Sequence, residues 1–232
     1  MNWSYLVIVI VPGLMLGLWA QWRVKSAFAR ASRMHSRRGL TGAQVAQEIL
    51  DGAGITDVRI EPHQGVLSDH YHPSKKALRL SEPVYGQATL AAAGVAAHEV
   101  GHALQHAKGY WPLAVRSALV PACVAGQWIG QIAMLVGCFF AFGFRTPFGQ
   151  WMLLAAIAGY GLVFLFTLVT LPVEFDASAR AVRILGDRGI LDPDELGEAK
   201  AVLDAAAWTY VASAVQVLLV LIWLLMQLNR RR

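Results

Sequence analysis

Ten consecutive residues, Ala97-His98-Glu99-Val100-Gly101-His102-Ala103-Leu104-Gln105-His106, carry the pattern H-E-x-x-H. On a helix the i, i+4 spacing stacks His98 and His102 on one face, about one turn apart. Two imidazoles so placed can share a tetrahedral Zn2+. Glu99 is then carried beside the metal, where a carboxylate can take a proton from water as it attacks a carbonyl carbon. The chemistry implied is zinc-dependent hydrolysis of a peptide bond. The plainer alternative is an ordinary solvated helix on which two histidines fall four apart by chance. It fits poorly with the preceding Ala91-Ala92-Ala93-Gly94-Val95-Ala96-Ala97, a small-residue surface suited to burial.

The motif supplies two ligands, and a catalytic zinc takes three from the protein. His106 lies at i+8 from His98, within about 80° of the same face but two turns along. A second source is Leu171-Pro172-Val173-Glu174-Phe175-Asp176-Ala177-Ser178-Ala179-Arg180-Ala181. Proline in a first turn predicts a new helix opening at Pro172, which would hold Glu174 near a membrane surface. Glu174 and Asp176 are about 200° apart on that helix, so only one can face the metal, while Glu174 and Ser178 share a face. Two histidines plus a carboxylate leave a fourth position open for water. His70 and His72 point to one side of an expected strand beside a turn and are read as structural. His35 and His63 have no motif around them.

The elements that must position these groups include membrane helices. At 56% hydrophobic and 15% charged residues, the chain is too apolar for an average soluble domain. Residues 3–22 form a run of about twenty without a charge, enough to cross a hydrocarbon core. A signal peptide is the competing reading, but no basic region precedes the run and no small-residue cleavage site follows it. Residues 119–142, 151–171 and 207–228 are three further spans, with Trp3, Trp22, Trp151 and Trp208 near the proposed interfaces. Gln127 and Gln131 in the second span are expected to face other protein and not lipid. Cys123 and Cys138 share that span, about 22 Å apart along a helix, too far to bridge.

Arg23, Lys25, Arg30, Arg33, Arg37 and Arg38 crowd just after the first span and mark a cytoplasmic side. With four spans, residues 23–118 and 172–206 both fall there and hold 16 of the 20 Lys and Arg. The C-terminal Arg230, Arg231 and Arg232 are the discordant signal. Within 23–118, a Thr41-capped amphipathic helix ends near Gly52 and Gly54. Val58-Arg59-Ile60-Glu61 and Ala77-Leu78-Arg79-Leu80-Ser81 alternate as strands around the 69–73 stretch, making a small sheet just before the metal helix. An exposed edge strand there can hydrogen-bond an extended substrate, or the sheet can simply pack under the helix. Asp192-Pro193-Asp194-Glu195 caps a further helix that can run on into the last span.

The stretch from Val66 through Pro112, with its H-E-x-x-H run followed by Gly109-Tyr110, and the segment Pro172-Val173-Glu174-Phe175-Asp176-Ala177-Ser178 resemble the YugP-like neutral zinc metallopeptidases of bacterial membranes. The likeness covers most of the chain. More remotely, the chain is similar to the HtpX-type and CAAX-processing membrane gluzincins, whose third ligand is a glutamate opening an E-x-x-A-D helix. The resemblance implies one Zn2+ held by His98, His102 and Glu174, with Glu99 as the catalytic carboxylate. Ser178 stands where the remote relatives carry aspartate.

The fold expected is an integral membrane protein, mainly α, with four transmembrane helices and a small cytoplasmic α+β gluzincin-like catalytic domain. Its expected activity is hydrolysis of protein or peptide substrates, membrane proteins among them, at the cytoplasmic face of a bacterial inner membrane. A membrane scaffold that keeps zinc for structure is the alternative. A metal-permeation protein is disfavoured because the spans lack acidic residues. No phosphate loop is present, and no aromatic interleaving of the basic residues supports nucleic-acid binding.

Overall fold

A computed structural model describes residues 3–229, so the tail Arg230, Arg231 and Arg232 lies outside the described residues. The elements are α1 (Trp3–Ala31), α2 (Gly42–Gly52), β1 (Arg59–His63), β2 (His70–His72), β3 (Ala77–Ser81), α3 (Glu82–Tyr85), α4 (Leu90–Ala107), α5 (Trp111–Gly143), α6 (Pro147–Asp187) and α7 (Pro193–Asn229). The chain is mainly helical, and α1, α5, α6 and α7 are each long and apolar enough to cross a membrane.

Each of these four helices is longer than the apolar run it contains, because hydrogen bonding along a backbone does not stop where hydropathy does. The expected helix start at Pro172 is corrected by this. Pro172 lies inside the unbroken α6. Proline removes one N–H and one ladder bond, but no glycine stands just before it to cap the helix, and the helix continues beyond it to Asp187. At the other predicted start, helix α7 does begin at Pro193. There Leu196 N–H bonds to Asp192 O, and Glu195 accepts the Asp192 N–H.

The chain divides into two compact units. One is formed by Val115–Leu171 with the N-terminal stretch up to Trp19 and the C-terminal stretch from Tyr210. Its core includes Val9, Leu153, Ala156, Trp223 and Leu224. Here α5 and α6 meet through glycine. A Cβ on Gly159 would lie 2.6 Å from the Gly126 carbonyl and 2.8 Å from the Gly130 backbone, so only bare backbone allows the approach. With Gly126 and Gly130 turned inward, Gln127 and Gln131 are exposed on α5, so no described part of this chain covers them. Both cysteines, on the same helix, are free.

The other unit comprises Ala20–Ala114 and Pro172–Thr209. Helix α2 opens on a full capping box, in which the Thr41 hydroxyl accepts the Gln44 N–H and the Gln44 side chain accepts the Thr41 N–H. It buries Val45, Ala46, Ile49 and Leu50. The sheet has the order β1-β3-β2, with β1 parallel to β3 (Ile60 opposite Leu78) and β2 antiparallel (Tyr71 opposite Leu78). Asp69, just before β2, accepts from the Ser81 N–H and hydroxyl at the end of β3. Helix α4 lies in the core of this unit, its Ala93, Ala96, Ala97 and Val100 buried among Ile49, Leu80 and Leu185.

Of the basic cluster after the first apolar run, Arg23 lies over the Trp208 ring and three more arginines form ion pairs. Arg30 pairs with Glu198, Arg37 with Asp192 and Asp194, and Arg38 with Glu48. The Arg37 N–H also donates to Glu195 at 2.7 Å. These ion pairs are largely exposed and screened by solvent, so they fix the path of the chain into α2 more than they stabilise the unit.

Candidate metal centre

Helix α4 starts at a side-chain cap, the Thr89 hydroxyl accepting the Ala92 N–H. Two turns on, the rings of His98 and His102 stand edge to face with centroids 4.8 Å apart. Between them Gly101 gives the helix a bare patch on which α6 rests. A Cβ at Gly101 would sit 2.7 Å from the Ala177 carbonyl oxygen and 3.1 Å from its Cα. That approach brings Glu174 and Ser178 against the histidines. Glu174 Oε2 lies 3.3 Å from His98 Nε2 and 3.6 Å from His102 Nε2. Three donor atoms, one from each residue, fall within 4.8 Å of one another. Helix propensity alone would favour Gly101→Ala by about 1 kcal/mol. The buried contact reverses the sign, and a stability loss of about 1–3 kcal/mol is expected in denaturant unfolding; a stabilised variant would contradict the close approach.

The electrostatics of the pocket favour a cation. Glu174 is 2% exposed. Burial alone would raise its pKa, but the two histidines beside it outweigh burial and hold it well below the usual carboxylate range. His102 is the converse. Burial opposes its charged form, yet Glu174 and the nearby Glu99 charge prevail and push its pKa up. Two Nε2 atoms and a carboxylate oxygen converging in a buried pocket form a donor set that suits zinc, so the residues fit the metal.

Glu99 is buried beside this group, and its Oε2 accepts the backbone N–H of Tyr71 at 2.9 Å. Strand β2 is an outer strand of the sheet, and this N–H is turned onto the α4 carboxylate. The Tyr71 hydroxyl is 2.9 Å from His106 Nδ1, so His106 engages the sheet and is not among the converging donors. His70 Nδ1 lies 2.9 Å from the Ser68 carbonyl and its ring meets His63, while His72 Nδ1 accepts the Lys75 N–H. His35 forms a backbone bridge to Thr89. None of these four belongs to the cluster.

A further layer holds the rings. His98 Nδ1 lies 3.1 Å from Ser178 Oγ, so the serine supports this ring from the side away from Glu174. His102 Nδ1 lies 3.0 Å from Gln105 Oε1, and Gln105 Nε2 donates to both the Val173 carbonyl and Asp176 Oδ2 at 2.8 Å. Asp176 does not simply point away, as the helix geometry predicts. It is off the metal face yet bound to Gln105 and to Arg180 Nε, and despite burial these two bonds keep it readily ionised. Arg180 in turn stacks over Tyr110. Gln105, Tyr71 and the packing role of Gly101 are absent from the sequence reading. The signal for Gln105 was present in its i+3 position from His102, which puts the two on one helix face.

A family model described as "Putative neutral zinc metallopeptidase" matches residues 6–229. The chain is 40% identical over 208 residues to the "Putative membrane protease YugP" of Bacillus subtilis (strain 168), an alignment covering 90% of this chain and 89% of that protein. No solved structure matches it.

Proposed function

Since the chain belongs to the neutral zinc metallopeptidase family along nearly its whole length, we propose that it is an integral membrane endopeptidase of the gluzincin type. It cleaves peptide bonds of protein substrates at the cytoplasmic face of a bacterial inner membrane. The observation that carries this reading is the meeting of His98, His102 and Glu174 in one buried cluster with Glu99 alongside.

In this reading His98 Nε2, His102 Nε2 and Glu174 hold one zinc ion, which when bound supplies Lewis acidity to the scissile carbonyl and to water. Glu99 takes the proton from the attacking water and passes it to the leaving amine. The Tyr71 N–H holds the Glu99 carboxylate at the outer edge of β2, and Ser178 and Gln105 keep the two rings turned toward the ligand position. An extended substrate lying along β2 would present its backbone to the same edge. Purified protein in detergent is expected to cleave casein or a membrane-protein substrate, to stop on chelation and to recover on zinc addition. Zinc-loaded protein with no chelator-sensitive cleavage would leave a structural zinc site in a membrane scaffold.

The orientation is tested separately. In sealed cells, a membrane-impermeant thiol reagent should label cysteine placed at Thr146 and spare cysteine placed at Ser74 or Asp187. Labelling at Ser74 would invert the topology and move the site out of the cytoplasm.

A further inference from the structure

We propose that Gln105 is the positioning residue that presets His102 for its ligand, by fixing which ring nitrogen carries hydrogen before any metal arrives. This rests on the reading of His102 as a ligand. Gln105 is completely buried, and both ends of its amide are constrained. Its nitrogen sits 2.8 Å from the Val173 carbonyl and 2.8 Å from Asp176 Oδ2, two groups that can only accept, so both amide hydrogens are committed there. A flipped amide would set its oxygen against those two acceptors. Arg180 Nε donates to the same Asp176 Oδ2, which marks that oxygen as an acceptor and closes off the flip. The remaining end of the amide, Oε1, can only accept, and it lies 3.0 Å from His102 Nδ1. Nδ1 must therefore be the donor. The lone pair of the neutral ring then falls on Nε2, the atom 3.6 Å from Glu174 Oε2.

His98 is held differently. Its Nδ1 faces a serine hydroxyl at 3.1 Å, and a hydroxyl rotates to donate or accept, so Ser178 orients the ring without dictating the tautomer. The two histidines are thus unequal: His102 is preset and His98 adapts. The presetting chain runs from Arg180 through Asp176 and Gln105 to His102, joining α6 to α4 by the side chain of a residue outside the H-E-x-x-H pattern.

The test uses full-length protein in detergent, with zinc affinity from chelator competition and His102 ring nitrogen shifts read by NMR on the neutral ring of the zinc-free protein. Gln105→Leu is expected to weaken zinc about 10- to 100-fold and to replace a single Nδ1–H form of His102 by a mixture. Ser178→Ala is expected to cost less. Gln105→Glu keeps an acceptor for His102 but sets a carboxylate oxygen against both the Val173 carbonyl and Asp176, and should bind zinc poorly. A single Nδ1–H form in Gln105→Leu, or wild-type zinc affinity in Gln105→Glu, overturns the proposal. Wild-type protein that binds no zinc would sink the peptidase reading but leave the tautomer measurement able to decide this one.

Discussion

Glu99→Gln is expected to retain its zinc and to lose at least about 10²-fold in turnover. The reason lies in where Glu99 sits. It is next in the chain to His98, yet its carboxylate is not one of the three converging donors; its Oε2 is bound to the Tyr71 N–H. An amide at this position keeps an oxygen to accept that N–H and nearly the same shape, so the helix and the ligand face should be undisturbed. What it cannot do is take a proton at neutral pH. The variant therefore separates binding from chemistry, with metal content unchanged and the chemical step nearly lost. Wild-type turnover by Glu99→Gln would remove Glu99 from the mechanism. Loss of zinc along with activity would show that Glu99 helps to hold the metal.

The second large effect is on affinity, and it distinguishes three side chains that the sequence offers as partners for the histidine pair. Glu174→Ala is expected to weaken zinc by far more than the ~10- to 100-fold typical of a supporting residue, because it removes the one carboxylate oxygen facing both Nε2 atoms. Asp176→Ala should fall within that supporting range, since it reaches His102 only through Gln105. His106→Ala should leave zinc binding essentially unchanged, its ring nitrogen being engaged with the Tyr71 hydroxyl. Zinc titration of the three variants, or anomalous diffraction at the zinc edge, reads the order directly. Abolition by His106→Ala with retention in Glu174→Ala would dismiss the two-histidine, one-glutamate site.

Signals confined to a few neighbouring residues were readable from the sequence. The Thr41 cap with Gln44 three residues on, the Asp192-Pro193 start and the alternation of Ala77–Ser81 each express a preference that needs no distant partner. The pairing of His98 with His102 is of the same kind, set by helix pitch. What was not readable depends on which helix face another helix approaches. The polarity of Gln127 and Gln131 says nothing of the face on which α5 meets α6, which is set by the close backbone contact that Gly126 and Gly130 permit. The local preference of Pro172 is for a helix start, whereas the helix runs through it from Pro147 to Asp187. Gln105 and Asp176 are 71 positions apart, and nothing short of the packing of Gly101 on Ala177 could announce that they touch.

The division of the chain bears on how this protein could ever be set free. The unit holding His98, Glu99, His102 and Glu174 is assembled from two separate stretches, Ala20–Ala114 and Pro172–Thr209, and the apolar hairpin Val115–Leu171 is the covalent link between them. A protease that nicks the chain once, anywhere, cannot shed this unit as a soluble fragment, because each stretch stays tethered to apolar helix at one end at least. Release requires cuts near residues 19, 115, 171 and 210, and it yields two peptides that must hold together without a bond. An ectodomain on a single anchor can be clipped off and diffuse away. In the membrane reading proposed above, a single cut leaves this unit tethered, and its reach would be that of lateral diffusion in a bilayer.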